Sequence, residues 1–160
     1  MGLEYVYEYV FEREIVKGAK CNAIDVAKYI VTYCNEKGAP ITNLKLQYIL
    51  YLCWKKYFSF TKSALFADRF VARRCGPVNL DAYYEFSIWA GNLIMRSYEV
   101  EIEESCRVFI QLCVDKYMEV SVSKLATDIQ RDGSPWHITW KNGEFFIPFY
   151  LISKQNDGGQ

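Results

Sequence analysis

Two rhythms of apolar and polar positions run along this chain, and they predict different elements. In the first twenty residues, "MGLEYVYEYVFEREIVKGAK", Leu3, Tyr5, Tyr7, Tyr9 and Phe11 fall on one parity. Glu4, Glu8 and Glu12 fall on the other, with Val6 and Val10 between them. Period two and β-favouring residues predict a strand here, with a helix as the second reading. Gly18 and the small residues after it break the pattern. From Asn22 onward the rhythm becomes helical. Ile24, Ala27, Ile30, Val31 and Cys34 recur at steps of three and four and predict a helix over 23–36. Asn22 is placed to cap it, with Asp25 in its first turn, and Gly38 with Pro40 ends it.

Thr42 is the expected cap of the next helix, over 43–58. Leu44, Ile49, Leu52, Cys53 and Phe58 form its apolar stripe. Tyr48, Leu50, Tyr51 and Trp54 widen the stripe almost all round, which marks a central helix. Lys45 and Gln47 are expected in its exposed first turns. A connector over 61–79 holds "ALFADRFVARR", with room for one or two brief strands, and Gly76-Pro77 is a turn signal. Asn79 is the expected cap of a helix carrying Ala82, Tyr83, Phe86 and Trp89. A further helix is predicted over 102–117, and a short one over 122–129 behind Ser121. "RDGSPW" reads as a turn. "HITWKNGEFFIPF" reads as a hairpin about Asn142-Gly143. The expected fold is mainly α: a compact single domain of about five helices with small β elements at the N-terminus, in the connector and in a C-terminal hairpin. The expected organisation is an N-terminal extension over 1–20, a helical domain over 21–153 and a polar tail over 154–160.

Composition narrows the picture. With 160 residues, 51% of them hydrophobic, the chain suits one domain with a proper core. Formal net charge is zero, from 19 basic and 19 acidic residues, which disfavours a nucleic-acid partner because phosphate contacts need a basic excess. No apolar run approaches the ~20 residues of a membrane span. The early glutamates are unlike a secretory signal, so a soluble cytoplasmic protein is expected. The six cysteines form no CxxC pair, and they read as reduced, mostly buried small hydrophobes rather than metal ligands.

Little points to catalysis. His137 is the single histidine, and it reads as structural, at the start of an expected strand. The acidic run over 99–105 reads as a solvated helix start. There is no Walker loop, no GxGxxG and no HExxH. The pairs Lys55-Lys56 and Arg73-Arg74, and Lys17 with Lys20, read as solvated charges. A helix-turn-helix about "EKGAPIT" is disfavoured, because its second helix is too apolar to offer a recognition face. Neither enzyme activity nor a cofactor or metal is expected. The N-terminal aromatic strip has two readings: a strand packed on the domain, or an arm that pairs with another chain.

Four stretches in order, "AIDVAKYIV", "ITNLKLQYILYL", "ALFADRFVARRCGPVNLDAYYEF" and "KLATDIQRDGSPW", resemble the Panacea-domain family, also described as SocA-like or phage-associated GepA-like proteins. The resemblance covers about residues 22–152. Thr42, Asn43, Leu44, Lys45, Leu46, Gln47, Leu50 and Tyr51 fall on its first motif. Gly76, Pro77 and Val78 fall on the turn motif, and Pro135 with Trp136 on the last. Tyr48 departs from a common Lys, Arg73 and Cys75 from frequent aromatics, and Thr127-Asp128 from a frequent Thr-His. The resemblance implies a helical antitoxin of a type II toxin–antitoxin pair that binds a toxin or host effector, with proteolytic adaptors in one branch. It also implies that extensions outside the domain choose the partner. Tyr5, Tyr7, Tyr9 and Phe11 are therefore the expected partner-binding residues. The alternatives are a phage or mobile-element inhibitor of a host defence protein, and a DNA-binding repressor.

Overall fold

Eight α-helices and three short strands follow one another in the computed structural model, which describes residues 2–154 apart from the Tyr5 side chain. They are α1 (Leu3–Glu14), α2 (Ala23–Glu36), α3 (Asn43–Thr61), β1 (Phe70–Arg73), β2 (Gly76–Val78), α4 (Leu80–Glu85), α5 (Glu104–Tyr117), α6 (Val122–Ile129), α7 (Pro135–Lys141), β3 (Phe146–Ile147) and α8 (Phe149–Lys154). A single 3₁₀ turn, Ser87–Trp89, follows α4. The protein is a compact, mainly helical single domain. The predicted polar tail beyond Lys154 lies outside the described residues. Among the described residues, no helix is long and apolar enough to cross a membrane.

Helix α3 is the axis of the core. It packs against α2, α4, α5, α6, α8 and β2, so it is buried on nearly every side. Trp54 holds its middle: its ring stacks on Phe58 and on Phe149 of α8, with centroids 5.7 and 4.5 Å away. Its indole N–H donates to the Phe66 carbonyl at 3.0 Å, which satisfies the one polar atom such a ring carries into a core. Both ends follow from the sequence. Thr42 Oγ1 accepts from the Lys45 N–H at the start, and Lys62 adopts a left-handed conformation at the end. Helix α2 begins at Asn22, whose Oδ1 accepts from the Asp25 N–H at 2.8 Å. It ends with left-handed Gly38, through bonds from Gly38 N to Asn35 O and from Ala39 N to Cys34 O. That paired closure serves two carbonyls that the helix leaves open.

The strands form an antiparallel sheet in the order β2-β1-β3, with Val71 opposite Val78 and Phe70 opposite Ile147. Strand β1 is where the connector's alternation placed it, but Gly76-Pro77, expected as a turn, begins β2 instead: both residues pair with β1, and the turn falls at Arg74-Cys75. The C-terminal hairpin is not present: its first half is helix α7, and β3 pairs with β1 instead. The cause is local. Ser134 caps α7 by accepting from the His137 N–H, and Pro135 occupies the first helical position, where it costs no hydrogen bond. Asn142-Gly143 then ends a helix rather than turning a hairpin. Gly143 is left-handed, with Gly143 N bonded to Trp140 O and Glu144 N to Thr139 O. The same dipeptide serves both purposes because each needs a residue that tolerates positive φ.

The N-terminal strand is also corrected: Leu3–Glu14 is a helix. The segment carries two patterns at once. Its parity alternation coexists with helical spacing at Leu3, Val6, Tyr7 and Val10, and Phe11 and Ile15 recur four apart. Packing decides between them. Phe11 meets Phe58 edge-on at 6.2 Å, and Ile15 and Val16 pack on the core. A lone strand would find no such burial. With α1, α7 and α8 added to the five expected helices, the count rises to eight.

Candidate functional site

Two regions hold the residues that the sequence singled out: the start of α3 with the turn it braces, and helix α1. At the first, the motif residues are mostly buried. Gln47 is 1% exposed, so its expected place on an exposed turn is corrected. Its Nε2 donates to Asn43 Oδ1 at 3.1 Å, and its Oε1 accepts from the Asn79 N–H at 3.0 Å. Asn43 Nδ2 reaches the Tyr83 carbonyl at 3.1 Å. Asn79 Nδ2 reaches the Arg69 carbonyl at 3.0 Å, while its Oδ1 caps α4 at Ala82 N. These three amides form a buried relay that ties α3 to the sheet and to α4. Buried polar groups of this kind stabilise only when every member is satisfied, and the bonds here satisfy them. The spacing i, i+4 for Asn43 and Gln47 on a helix apolar almost all round was the available signal.

Lys45 is also drawn in. Its Nζ donates to the Met118 carbonyl at the C-terminal end of α5, where a cation meets the negative end of the helix dipole. Burial lowers its pKa below the ordinary lysine value. Leu44 is exposed, and Tyr51 is buried against Phe70.

The turn between β1 and β2 brings the other motifs together. The Trp136 indole donates to the Arg73 carbonyl at 2.7 Å, and the Cys75 carbonyl accepts from Tyr48 Oη and Gln130 Nε2. Gly76 has φ +129°, and a Cβ there would lie 2.8 Å from the Tyr48 ring. Pro77 and Val78 continue as β2, buried, and Pro135 opens α7. So the three motifs describe one braced turn. They are scaffold parts, joined by hydrogen bonds to backbone carbonyls. The turn holds exposed Arg73, Arg74 and Cys75 beside half-exposed Tyr83 and Tyr84, around an open groove of about 760 Å³.

His137 lies in α7, not in a strand. Its Nδ1 accepts from the Gly133 N–H at 3.1 Å, and its Nε2 is 3.7 Å from exposed Asp132. Among the described residues, these ring contacts are to a backbone N–H and a carboxylate, and Ser134 meets the backbone N–H of His137 rather than its ring. Among the described residues no group of His, Cys, Asp and Glu could hold a metal ion. Cys34, Cys53, Cys106 and Cys113 are buried, Cys21 is half-buried and Cys75 exposed; burial pushes the Cys34 thiol up to about 11.

The second region is α1. One side is fixed to the body by Phe11 and by Glu12, whose Oε1 accepts from the Tyr150 N–H at 2.9 Å at the start of α8. Burial raises the Glu12 pKa above the ordinary carboxylate value, partly offset by that bond. The other side carries Leu3, Val6, Tyr7 and Val10, all exposed, with Leu3 at 89% and Tyr7 at 77%. At 100° per residue these four share a face, the i, i+3, i+4, i+7 stripe that normally packs against something. The four residues expected to bind a partner do not share one. Tyr7 is on the exposed stripe, Tyr9 is exposed to one side of it, and Phe11 is turned to the core; the Tyr5 side chain lies outside the described residues. Val6 and Val10 were missed because strand parity assigned them to the opposite face, and Leu3, on the tyrosines' parity, was left out of the expected set.

The chain matches no family model, no curated protein and no solved structure.

Proposed function

We propose that this protein is an antitoxin-like inhibitor, which neutralises a partner protein by direct binding through the exposed face of α1. The single observation that carries this reading is the Leu3–Val6–Tyr7–Val10 stripe, apolar, solvent-facing and held at a fixed angle by Phe11 and Glu12. An amphipathic helix of this pattern is one half of a helix-in-groove interface, with the anchors at i, i+3, i+4 and i+7. The resemblance of residues 22–152 to Panacea-domain antitoxins supports the same reading, because it puts partner choice in an extension outside that domain. On this reading the relay about Gln47 and the braced turn are the rigid platform, and the protein acts in the cytoplasm by binding, without catalysis or cofactor.

The test is capture from the native host with the partner identified by mass spectrometry, followed by titration of the purified pair. Removal of residues 1–18 is expected to abolish the complex. Unchanged affinity after that removal contradicts the proposal.

A further inference from the structure

The groove beside the β1–β2 turn has no part in the α1 interface, and its charge is one-sided. Arg73, Arg74, Cys75, Tyr83, Tyr84 and Gln130 are among its lining residues, around about 760 Å³, and no carboxylate lines it. Among the described residues neither arginine side chain holds a hydrogen bond or an ion pair. Acidic residues of the flanking segments are engaged elsewhere. Asp68 accepts from the Ala23 N–H at 3.0 Å, Glu85 meets Lys28 at 3.3 Å, and Asp128 meets Lys124 at 2.9 Å. Asp132 lies beside His137, and Asp81 sits in the first turn of α4, where the helix dipole favours a negative charge.

The backbone that presents the two arginines is held from several sides. Arg73 pairs with Gly76 across the turn, and its carbonyl accepts from the Trp136 indole. The Cys75 carbonyl accepts from both Tyr48 and Gln130, which uses its two lone pairs. These carbonyls are therefore occupied by other donors, and the arginine forks keep their own donors for an outside acceptor. A backbone fixed in advance also lowers the ordering cost of binding.

The groove adds aromatic surface to the charge. Tyr84 is 60% exposed and Tyr83 42%, and their rings meet edge-on at 5.7 Å. Arginine and tyrosine are the residue types that dominate interface hot spots. An arginine fork holds a carboxylate through two parallel bonds, so the chemistry that fits here is acidic with an apolar or aromatic neighbour. Two cations in a chain of zero net charge are few for nucleic acid, whose affinity grows with the number of phosphates contacted. An open groove also suits a segment of chain better than a small molecule, which needs most of its surface enclosed.

We propose that the groove between the β1–β2 turn and α4 docks an acidic peptide segment of a partner protein. Its carboxylates meet the Arg73 and Arg74 forks, and an adjoining aromatic or aliphatic side chain lies against Tyr83 and Tyr84. The groove shares no residue with α1, and the proposal does not rest on the reading of that helix.

Selection of a random library of short linear peptides on the full chain, depleted against the double variant Arg73→Ala, Arg74→Ala, tests it. The enriched peptides are expected to carry a negative charge beside an aromatic or aliphatic residue. In titrations of synthetic copies, the double variant should weaken binding about tenfold or more, and Tyr84→Ala about fivefold. Both variants change exposed side chains, so their unfolding midpoints should match wild type. Cys75 gives a direct footprint, because it is exposed while the other five cysteines are buried or half-buried. Bound peptide should slow its alkylation by iodoacetamide, and the same peptide with amides in place of its carboxylates should not. The combined change Leu3→Ser, Val6→Ser, Tyr7→Ser and Val10→Ser should leave peptide binding unchanged. The proposal is overturned if no peptide is enriched over the double variant, or if the enriched set has no acidic excess. Equal alkylation of Cys75 with and without peptide also overturns it, as does displacement by a single-stranded oligonucleotide at a lower concentration than the peptide itself.

Discussion

Helices α1 and α3 are both rich in tyrosine and aliphatic residues, yet they spend that apolar surface in opposite ways. In α3 12 of the 19 residues are buried, and even the polar Asn43 and Gln47 are inside. In α1 a full helical stripe stays in solvent while a few residues fix the other side. The difference teaches that apolar content alone does not mark a core. What matters is whether the rest of the chain covers it. Where it does, polar residues must be paired inside; where it does not, the apolar face is left for something else.

The largest effect is expected inside α3. Trp54→Ala removes a ring stacked between Phe58 and Phe149 and should cost about 3–5 kcal/mol in denaturant unfolding. Gln47→Ala comes next. It leaves the Asn79 N–H and the Asn43 side-chain oxygen without their partner, at about 1–3 kcal/mol for each buried group before relaxation. A cost below about 0.5 kcal/mol would show that the relay does not hold α3 to the sheet. The comparison is sharpened by changing Leu3, Val6, Tyr7 and Val10 together to Ser. Each exposed change should alter stability by no more than about 0.5 kcal/mol, measured by the same unfolding curve.

The smallest effect concerns Glu12 and pH. Its folded pKa is raised, chiefly by burial, so the folded state binds more protons than the unfolded one between the ordinary and the raised value. Stability from this group is therefore greater below that window and falls as pH rises through it. The unfolding free energies of wild type and Glu12→Gln should accordingly converge as pH is lowered toward the carboxylate range. A gap that widens on acidification would contradict the assignment.

Much of this fold was legible from capping chemistry. Asn22, Thr42, Asn79 and Ser121 each cap the helix they were expected to cap, because a short polar side chain before a helical stripe has a specific bond to make. The errors fall where one local signal serves two structures. Asn142-Gly143 fits a hairpin turn and a helix end equally well, and the cap at Ser134 decides it from nine residues upstream of Gly143. The first helix satisfies period two and period 3.6 together, and tertiary contacts from Phe11 and Ile15 choose. At the site, the burial of Gln47 could have been read from its place on an all-round apolar helix. Its partner Asn79 could not, since that contact spans 32 residues and depends on how the sheet turns.

The central claim is that α1 carries the binding surface and the rest of the domain carries α1. The most direct test is titration of the captured and identified partner against wild type and against the variant with Ser at positions 3, 6, 7 and 10. The account predicts at least about a hundredfold loss of affinity, as expected when several apolar anchors of one interface are removed, with an unfolding free energy within about 2 kcal/mol of wild type. Equal affinity for the two proteins, or host capture that yields no partner at all, would contradict it.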